Sequence, residues 1–217
     1  METFSIPSEY RFKVILIGDS TVGKTGLYTR YLFDEYRDGA RTTLGVEFNV
    51  RDIQIQDKSI HLEVWDTAGQ ERYRGVSKLF YKNAVGLVVV YDITNRDSFT
   101  NLNRWISDAQ QLVEPHACML LVGNKSDLEI QREVSMEEGL RKAQELGCKF
   151  VETSAKDSIN IVSAFHDLAS DIFEKAKNLE KEGVLPPNLG GVPKDGIEFL
   201  RPKNLYGDTE KKYASCC

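Results

Sequence analysis

The chain has 217 residues, of which 41% are hydrophobic, and its formal net charge is -5. A chain of this length and composition can bury a full core in one domain with some residues to spare. The acidic balance gives no electrostatic reason to expect nucleic-acid binding.

The first residues, METFSIPSEYRFK, contain no apolar run of signal-peptide length, and Glu2 excludes the N-myristoylation pattern. The longest apolar run, VGLVVVY, is too short to span a bilayer. We therefore expect a protein made in the cytosol. In that reducing compartment, Cys118 and Cys148 are expected to be small core residues rather than a disulfide. The three histidines are far apart and predict no metal cluster.

Strands and helices are predicted to alternate along the chain. The segments in chain order are the strand FKVILIG, the helix KTGLYTRYLFDEY, the hairpin VEFNVRDIQI and IHLEVWD around the turn QDKS, the strand GLVVVYDIT, the helix SFTNLNRWISDAQQL, the strand ACMLLVGNK, a helix opened by the capping box of Ser135 and Glu138, the strand CKFVETSA and a last helix from about Ser158 to Lys181. This order predicts an α/β fold with a doubly wound, mostly parallel six-stranded sheet. Helices cover both faces, and the hairpin supplies one antiparallel strand.

The stretch GDSTVGKT, residues 18–25, joins the first strand to the first helix. Such a turn points several backbone N–H groups into one concave site, where Lys24 adds a positive charge. Together they form a phosphate cradle. The Thr25 hydroxyl can bind a magnesium ion that bridges the outer phosphates. The alternative is a chance glycine turn, and the motif alone leaves the base and the reaction open.

Ligands of such sheets bind at the carboxyl ends of the strands. The loops predicted there are WDTAGQE, GNKSD and TSAK, which are polar segments that follow three different strands. Taken alone, NKSD would be an ordinary turn. Its position after a buried strand favours a ligand-binding loop instead.

Five motifs, GDSTVGKT, TLGVEF, WDTAGQE, NKSD and TSAK, occur in this order across roughly residues 10–175. On these motifs the chain resembles the small GTPases of the Ras superfamily. LGVEF, AGQERYRGV, FYKNA, VVVYDIT and the terminal CC resemble the Rab family within it. The resemblance implies a P-loop GTPase fold with GTP or GDP and Mg²⁺ bound, a GTPase domain at 10–177, an N-terminal extension at 1–9 and a flexible hypervariable tail at 178–217.

The resemblance also implies the residues that bind the nucleotide. Asp127 would accept the two N–H donors on one edge of guanine, a pair that adenine lacks, while Asn124 ties the base to the loops and Lys125 lies along the ring. The Ala155 N–H would meet the guanine oxygen, and Tyr36 would pack edge-on against the base, although an exposed loop tyrosine is an alternative. The full nucleotide-binding set is Ser20, Thr21, Val22, Gly23, Lys24, Thr25, Tyr36, Thr43, Gly69, Asn124, Lys125, Asp127, Ser154, Ala155 and Lys156.

The implied metal ligands are Thr25, Thr43 and Asp66, of which Asp66 usually acts through a water and would otherwise be a helix-cap or turn aspartate. The implied catalytic residues are Gln70, Lys24, Thr43 and Gly69, with Gln70 orienting the attacking water and the Gly69 N–H on the terminal phosphate. Arg41 does not match a catalytic arginine of the family. Turnover without a partner is therefore expected to be slow, on the order of 10⁻⁴ to 10⁻³ per second, until a GTPase-activating protein supplies one.

Segments around Thr43 and Gly69 are expected to be held by the terminal phosphate and released when it leaves, which makes the protein a switch. The implied effector-facing residues are Leu44, Gly45, Phe48, Trp65 and Phe80. Core packing is the alternative for the three aromatic residues. Many Rab proteins carry tyrosine where Phe80 stands, so a partner contact that needs that hydroxyl is in doubt.

Proline and glycine accumulate beyond about Asn178, which predicts a tether rather than a second domain. In Rab proteins a terminal cysteine pair such as Cys216 and Cys217 receives two geranylgeranyl chains. The tail has no basic patch, so stable anchoring should need both lipids. The resemblance implies a monomer on the cytoplasmic face of intracellular membranes, with a cytosolic GDP-bound pool. It implies as partners an exchange factor, a GTPase-activating protein, effectors, a GDP-dissociation inhibitor and a prenylation escort protein.

Three other functions stay open at the level of the sequence. An ATP-using P-loop enzyme shares the phosphate cradle but has no use for Asp127 and TSAK. A non-hydrolysing GTP-binding scaffold of the same fold would tolerate loss of Thr43 or Gln70, and both are present. A lipid-free GTPase of the nuclear-transport type would leave Cys216 and Cys217 unmodified.

Overall fold

A computed structural model describes residues 10–36, 45–67 and 80–183 of the chain. The strands of the described residues are β1 (Tyr10–Ile17), β2 (Val46–Ile55), β3 (Lys58–Thr67), β4 (Gly86–Asp92), β5 (Cys118–Asn124) and β6 (Lys149–Thr153). The α-helices are α1 (Lys24–Phe33), α2 (Arg96–Thr100), α3 (Leu102–Gln110), α4 (Met136–Leu146) and α5 (Ile161–Lys181), and a 3₁₀ helix spans Ser126–Gln131.

The six strands form one sheet in the order β2-β3-β1-β4-β5-β6. The β2–β3 pair is antiparallel, and the other four pairs are parallel. This is the predicted doubly wound sheet with a single antiparallel hairpin, so the predicted fold is confirmed. The hairpin turns within the predicted segment, because Gln56 adopts a left-handed backbone at φ 56° between the ends of β2 and β3.

Two apolar clusters hold helices to the two faces of the sheet. Helices α1 and α5 pack with one cluster, and α3 and α4 pack with the other. Every residue of β4 is buried, as expected for a strand covered on both faces. The register of β1 on β3 sets Leu16 beside Asp66, so the end of β3 lies next to the loop that follows β1.

Helix ends follow local backbone chemistry. The predicted capping box is present, since the Ser135 hydroxyl accepts from the Glu138 N–H while the Glu138 carboxylate accepts from the Ser135 N–H. The first helix was predicted to run to Tyr36 but ends at Phe33, because Asp34 turns left-handed at φ 53°. The last helix was predicted from Ser158 but begins at Ile161, because Ser158 and Asn160 have φ values of 59° and 57°.

The segment predicted as one helix over 98–112 is also different in the structure. It is divided between α2 and α3 at Asn101, whose ψ of -8° departs from regular helical geometry. The Trp105 N–H still bonds the Asn101 carbonyl, but the distance has lengthened to 3.4 Å. At this bend the Asn101 side chain bonds outside its own helix, to Asp19.

Cys118 and Cys148 are free thiols that are partly buried, each packed against one of the two clusters rather than fully enclosed in it. Helix α5 continues to Lys181, past the predicted domain boundary at 177, and the boundaries themselves stay predictions. Among the described helices, none combines the length and the apolar character that crossing a membrane would require.

Candidate nucleotide-binding site

The loop between β1 and α1, residues 18–23 and called here the P-loop, turns too tightly for side chains at two points. A Cβ on Gly18 would lie 2.2 Å from the Val90 carbonyl oxygen, and one on Gly23 would lie 2.3 Å from the Asn124 amide nitrogen. Both glycines also have positive φ, at 140° and 96°. The loop is therefore pressed against the ends of β4 and β5, where its backbone lines the predicted cradle.

The remaining P-loop residues differ in exposure. Val22 is buried in the core cluster of α1 and α5, whereas Thr21 is exposed with a left-handed backbone at φ 68°. Ser20 is partly buried. Val22 therefore anchors the loop in the core, while the Thr21 side chain lies at the surface.

Lys24 opens α1 and is almost fully buried, with 5% of its surface exposed. Its ammonium donates to the carbonyls of Gly18 at 2.9 Å and Asp19 at 2.8 Å. Burial lowers the pKa of Lys24 to about 8, although the carboxylates of Asp66 and Asp19 act in the opposite direction. A buried ammonium whose charged form is disfavoured is stabilised by an anion brought close to it.

Thr25 and Asp66 meet beside this lysine. The Thr25 hydroxyl donates to the Asp66 carboxylate at 2.6 Å, and Asp66 is completely buried near the end of β3. A hydroxyl and a carboxylate supply hard oxygen atoms, which are the ligands that Mg²⁺ prefers. Two of the three predicted metal ligands therefore lie together, from segments far apart in the chain.

The loop after β5 is fixed to the P-loop by Asn124. The Asn124 amide donates to the Val22 carbonyl at 2.9 Å, and its oxygen accepts from the Thr153 hydroxyl at 3.1 Å. Lys125 follows with a left-handed backbone, at φ 68°, and its ammonium pairs with Asp92 at 2.5 Å. These contacts join the ends of β4, β5 and β6 in front of the P-loop.

The loop after β6 completes this group. Ser154 is fully buried, and its hydroxyl donates to the Asp127 carboxylate at 2.6 Å. Ala155 is buried, with its carbonyl accepting from Arg30 of α1 at 2.9 Å, while Lys156 is exposed. The contacts bring Asn124, Lys125, Asp127, Ser154, Ala155 and Lys156 to the same edge as the P-loop.

Gly26 explains how α1 fits against this edge. A Cβ at this position would lie 3.3 Å from the Ala155 Cβ and 3.8 Å from the Tyr36 ring. Tyr36 itself is 37% exposed. The absence of a side chain at Gly26 therefore lets α1, Ala155 and the Tyr36 ring approach one another.

Residues 13–174 match the sequence profile of the Ras family. The Ras-related protein Rab-11C of Dictyostelium discoideum is 43% identical over 218 aligned residues, which cover 97% of this chain and 97% of that protein. The chain belongs to the Rab branch of the Ras family.

Two plant relatives agree with the assignment. The Ras-related protein RABD1 of Arabidopsis thaliana is 46% identical over 167 residues, covering 77% of this chain and 82% of that protein. RABA4b of the same plant is 44% identical over 199 residues, with 88% and 89% covered. This Rab-family chain is thus a small GTPase of membrane trafficking, which binds guanine nucleotide and works with regulators and effectors of the general Rab kind.

Three of the residues predicted to face effectors of a Rab protein form a stacked aromatic cluster. The Phe48 and Trp65 rings are parallel within 12°, with centroids 4.5 Å apart, and the Phe80 ring lies 5.8 Å from Trp65. Phe48 is 44% exposed, whereas Trp65 and Phe80 are partly buried. The alternative of core packing does not account for Phe48, because its side chain is exposed. The cluster therefore forms an apolar surface on the β2–β3 hairpin.

Other predicted residues of this Rab-family chain lie outside the described residues. They are Thr43, Leu44, Gly69 and Gln70 of the two central loops, and Cys216 and Cys217 of the tail. Gly45 is described and has φ 96°, which suits glycine directly before β2. The roles of the first six residues stay predictions.

Sequence reasoning missed several residues that hold the site in place. Asp92 pairs with Lys125, Arg30 bonds the Ala155 carbonyl, and Asp19 accepts from two side chains of the α2–α3 segment. Asp92 is the last residue of a buried strand, and a charged residue at that place could have indicated a site residue. Arg30 lies within helix α1, where a charged residue is ordinarily expected at the surface. Nothing in the sequence therefore indicates its contact with Ala155.

Proposed function

We propose that this Rab-family GTPase is a magnesium-dependent, lipid-anchored switch whose nucleotide binds where the P-loop meets the loops at 124–127 and 154–156. One observation carries the proposal. A buried ammonium, that of Lys24, lies on the P-loop carbonyls beside the Thr25–Asp66 pair, at the edge that also holds Asp127. The proposed phosphate, metal and base sites therefore share one edge of the sheet.

The proposed phosphate site combines Lys24 with the backbone N–H groups of Ser20, Thr21, Val22 and Gly23. GTP hydrolysis transfers the terminal phosphoryl group to water, and negative charge on the phosphate oxygens must be stabilised while the bond to the leaving oxygen breaks. In this proposal Lys24 and the N–H groups supply that stabilisation. Gly69 and Thr43 would add contacts to the terminal phosphate, and Gln70 would orient the water.

The residues present fit a magnesium ion. Thr25 and Asp66 place two hard oxygens 2.6 Å apart, and the carboxylate is fully buried. Thr43 would join them when the terminal phosphate is bound. Magnesium at this site would neutralise charge on the outer phosphates.

The metal proposal predicts the behaviour of Thr25→Ala. Loss of the hydroxyl removes one hard ligand, so the Mg²⁺ concentration that half-maximally slows GDP release should rise by about tenfold. Release of radiolabelled GDP across a Mg²⁺ titration measures it. The matched control is Thr29→Ala, since the Thr29 hydroxyl bonds carbonyls of α1 itself. Overlapping titrations for Thr25→Ala and the parent would count against the metal site.

The Lys24 pKa predicts how GDP affinity depends on pH. Without nucleotide this pKa is about 8, and phosphate oxygens would raise it. A group whose pKa rises on binding favours binding fully below its free-state pKa, and the gain is lost as pH increases above it. GDP affinity should therefore weaken by about fivefold between pH 7 and pH 8.7.

Titration calorimetry over this range, in which the guanine base stays largely neutral, measures both the affinity and the protons taken up. Repeating it in two buffers of different ionisation enthalpy isolates the proton uptake. Uptake that increases toward pH 8.7 supports the role of Lys24. An affinity that stays constant across the range would refute it.

We further propose that the segments holding Thr43 and Gly69 are ordered by the terminal phosphate and released after hydrolysis. The aromatic cluster with Leu44 and Gly45 would then be the surface that effectors bind in the GTP form. Loading would need an exchange factor, and rapid hydrolysis a GTPase-activating protein. The protein would act as a monomer, carried by a prenylation escort protein and a GDP-dissociation inhibitor.

Membrane attachment is proposed to use Cys216 and Cys217. The tail balances basic and acidic residues, so attraction to anionic lipids adds little, and a single prenyl chain binds membranes only marginally. Changing either cysteine to serine should leave weak, reversible binding. Changing both should leave the protein in the cytosol.

Imaging of the tagged chain with organelle markers, together with mass spectrometry of the mature C-terminus, tests this attachment. Ser215→Ala, directly before the pair, is the matched control and should keep the parent distribution. Membrane localisation that survives loss of both cysteines would contradict lipid anchoring at this position.

A further inference from the structure

Asp19, the second residue of the P-loop, is held by two side chains from the α2–α3 segment. Its carboxylate accepts from the Trp105 indole N–H at 2.7 Å and from the Asn101 amide at 2.8 Å, one donor on each oxygen. Asn101 and Trp105 lie one helical turn apart and therefore present both donors on the same side of the helix. Neither residue belongs to the nucleotide site proposed above.

The two donors are fixed by different means. The Trp105 ring is 3% exposed and packs in the core cluster of α3 and α4, so its N–H has one available direction. Asn101 stands at the bend between α2 and α3, where its side chain reaches out of the helix. Hydrogen bonds to a carboxylate are roughly twice as strong as bonds between neutral groups. Asp19 is thus attached to a rigid part of the fold.

Asp19 connects in turn to the phosphate cradle. Its carbonyl accepts from the Lys24 ammonium at 2.8 Å, and its negative charge opposes the lowering of the Lys24 pKa by burial. In the same loop Thr21 holds a left-handed backbone at φ 68°, which costs free energy in a residue other than glycine and is retained only where the surrounding structure fixes it. The orientation of the Asp19 peptide therefore influences where the following N–H groups point.

We propose that Asn101 and Trp105 are positioning residues for the nucleotide: by holding the Asp19 carboxylate, they keep the P-loop in its phosphate-binding conformation and slow nucleotide release. The inference rests on the proposed role of the P-loop. It adds that the helix pair α2–α3, which touches no predicted nucleotide ligand directly through these side chains, helps to set the lifetime of the bound state.

Release of radiolabelled GDP from the full-length chain, chased with unlabelled GDP, tests the proposal. Trp105→Phe keeps an aromatic ring but removes the donor, and GDP release should be about tenfold faster. Asn101→Ala should speed release by about fivefold. Asn103→Ala, the same change at an exposed position of α3, is the matched control and should release GDP at the parent rate.

In this proposal, the loss of either donor speeds GDP release by freeing the Asp19 carboxylate. A double-mutant cycle tests whether Asp19 is required. In an Asp19→Ala background, the Trp105→Phe change should alter the release rate by less than about twofold. An equal acceleration in both backgrounds, or a parent rate for Trp105→Phe and Asn101→Ala alike, would overturn the positioning role. A parent chain that does not retain GDP would overturn the P-loop proposal as well, so the two failures are distinct.

Discussion

Asp127→Asn is expected to weaken binding of GTP and GDP by on the order of a thousandfold and to move the preference toward xanthine nucleotides. The Asp127 carboxylate offers only acceptors, which match the two N–H donors of guanine. An asparagine amide turns one acceptor into a donor, which opposes guanine but matches the extra carbonyl of xanthine. The Ser154 hydroxyl donates to the Asp127 carboxylate at 2.6 Å. This bond holds the side chain at position 127 where it can meet a guanine or a xanthine base.

Competition of GDP and xanthosine diphosphate against a radiolabelled nucleotide measures this change. Asp157→Asn provides the control, since it makes the same substitution at an exposed position of the neighbouring loop. That variant should keep the selectivity of the parent. Unchanged guanine selectivity in Asp127→Asn would remove the basis for the assignment of the base.

Gln70→Leu is expected to slow hydrolysis stimulated by a GTPase-activating protein by on the order of a hundredfold, while GTP binding stays intact. Leucine has a similar size but cannot bond the attacking water. Without a partner the decrease should be smaller, because the unstimulated rate is already low. Gln70 lies outside the described residues, so this prediction depends on the family to which the chain belongs.

Single-turnover phosphate release from GTP-loaded protein, alone and with an activating protein for Rab GTPases, is the measurement. Gln110→Leu, the same change at an exposed position that ends α3, should behave as the parent. Equal release by Gln70→Leu and the parent would refute the role of Gln70. If neither Gln70→Leu nor the parent released phosphate, the result would favour a non-hydrolysing scaffold.

The sheet and the alignment of its loops were predictable because both follow from local patterns. Apolar runs identified the strands, and the parallel connection rule placed the loops after β1, β3, β5 and β6 at one edge. The structure accordingly brings Lys24, Asp66, Asp127 and Ala155 to that edge, although they lie far apart along the chain.

The polar contacts behind the site could not be predicted in this way. The Arg30–Ala155 and Trp105–Asp19 bonds join residues separated by more than eighty positions, and no periodic pattern in the sequence indicates these polar contacts. Within the P-loop motif, position 19 allows any residue, so nothing in the motif marked Asp19 as a bonded group. The bend at Asn101 was also missed, because the spacing of apolar residues continues through it.

Exposure of the aromatic cluster was only half predictable. Alternation along β2 places Phe48 on one face of the sheet but does not say whether that face is covered. Its exposure depends on which helices pack there, and these belong to distant parts of the chain. The stacking of Phe48 on Trp65 follows from the antiparallel register, which pairs the two positions directly.

The protein contains two tryptophans, which lie in different environments. Trp65 belongs to the partly exposed aromatic cluster, whereas Trp105 is buried with its indole nitrogen on Asp19. Ultraviolet emission of the intact chain thus combines two signals of different colour, a red-shifted one from the wetter ring and a bluer one from the enclosed ring. We therefore expect the red-shifted signal to change on effector docking at the proposed surface and the bluer signal to change on nucleotide exchange, without an attached dye.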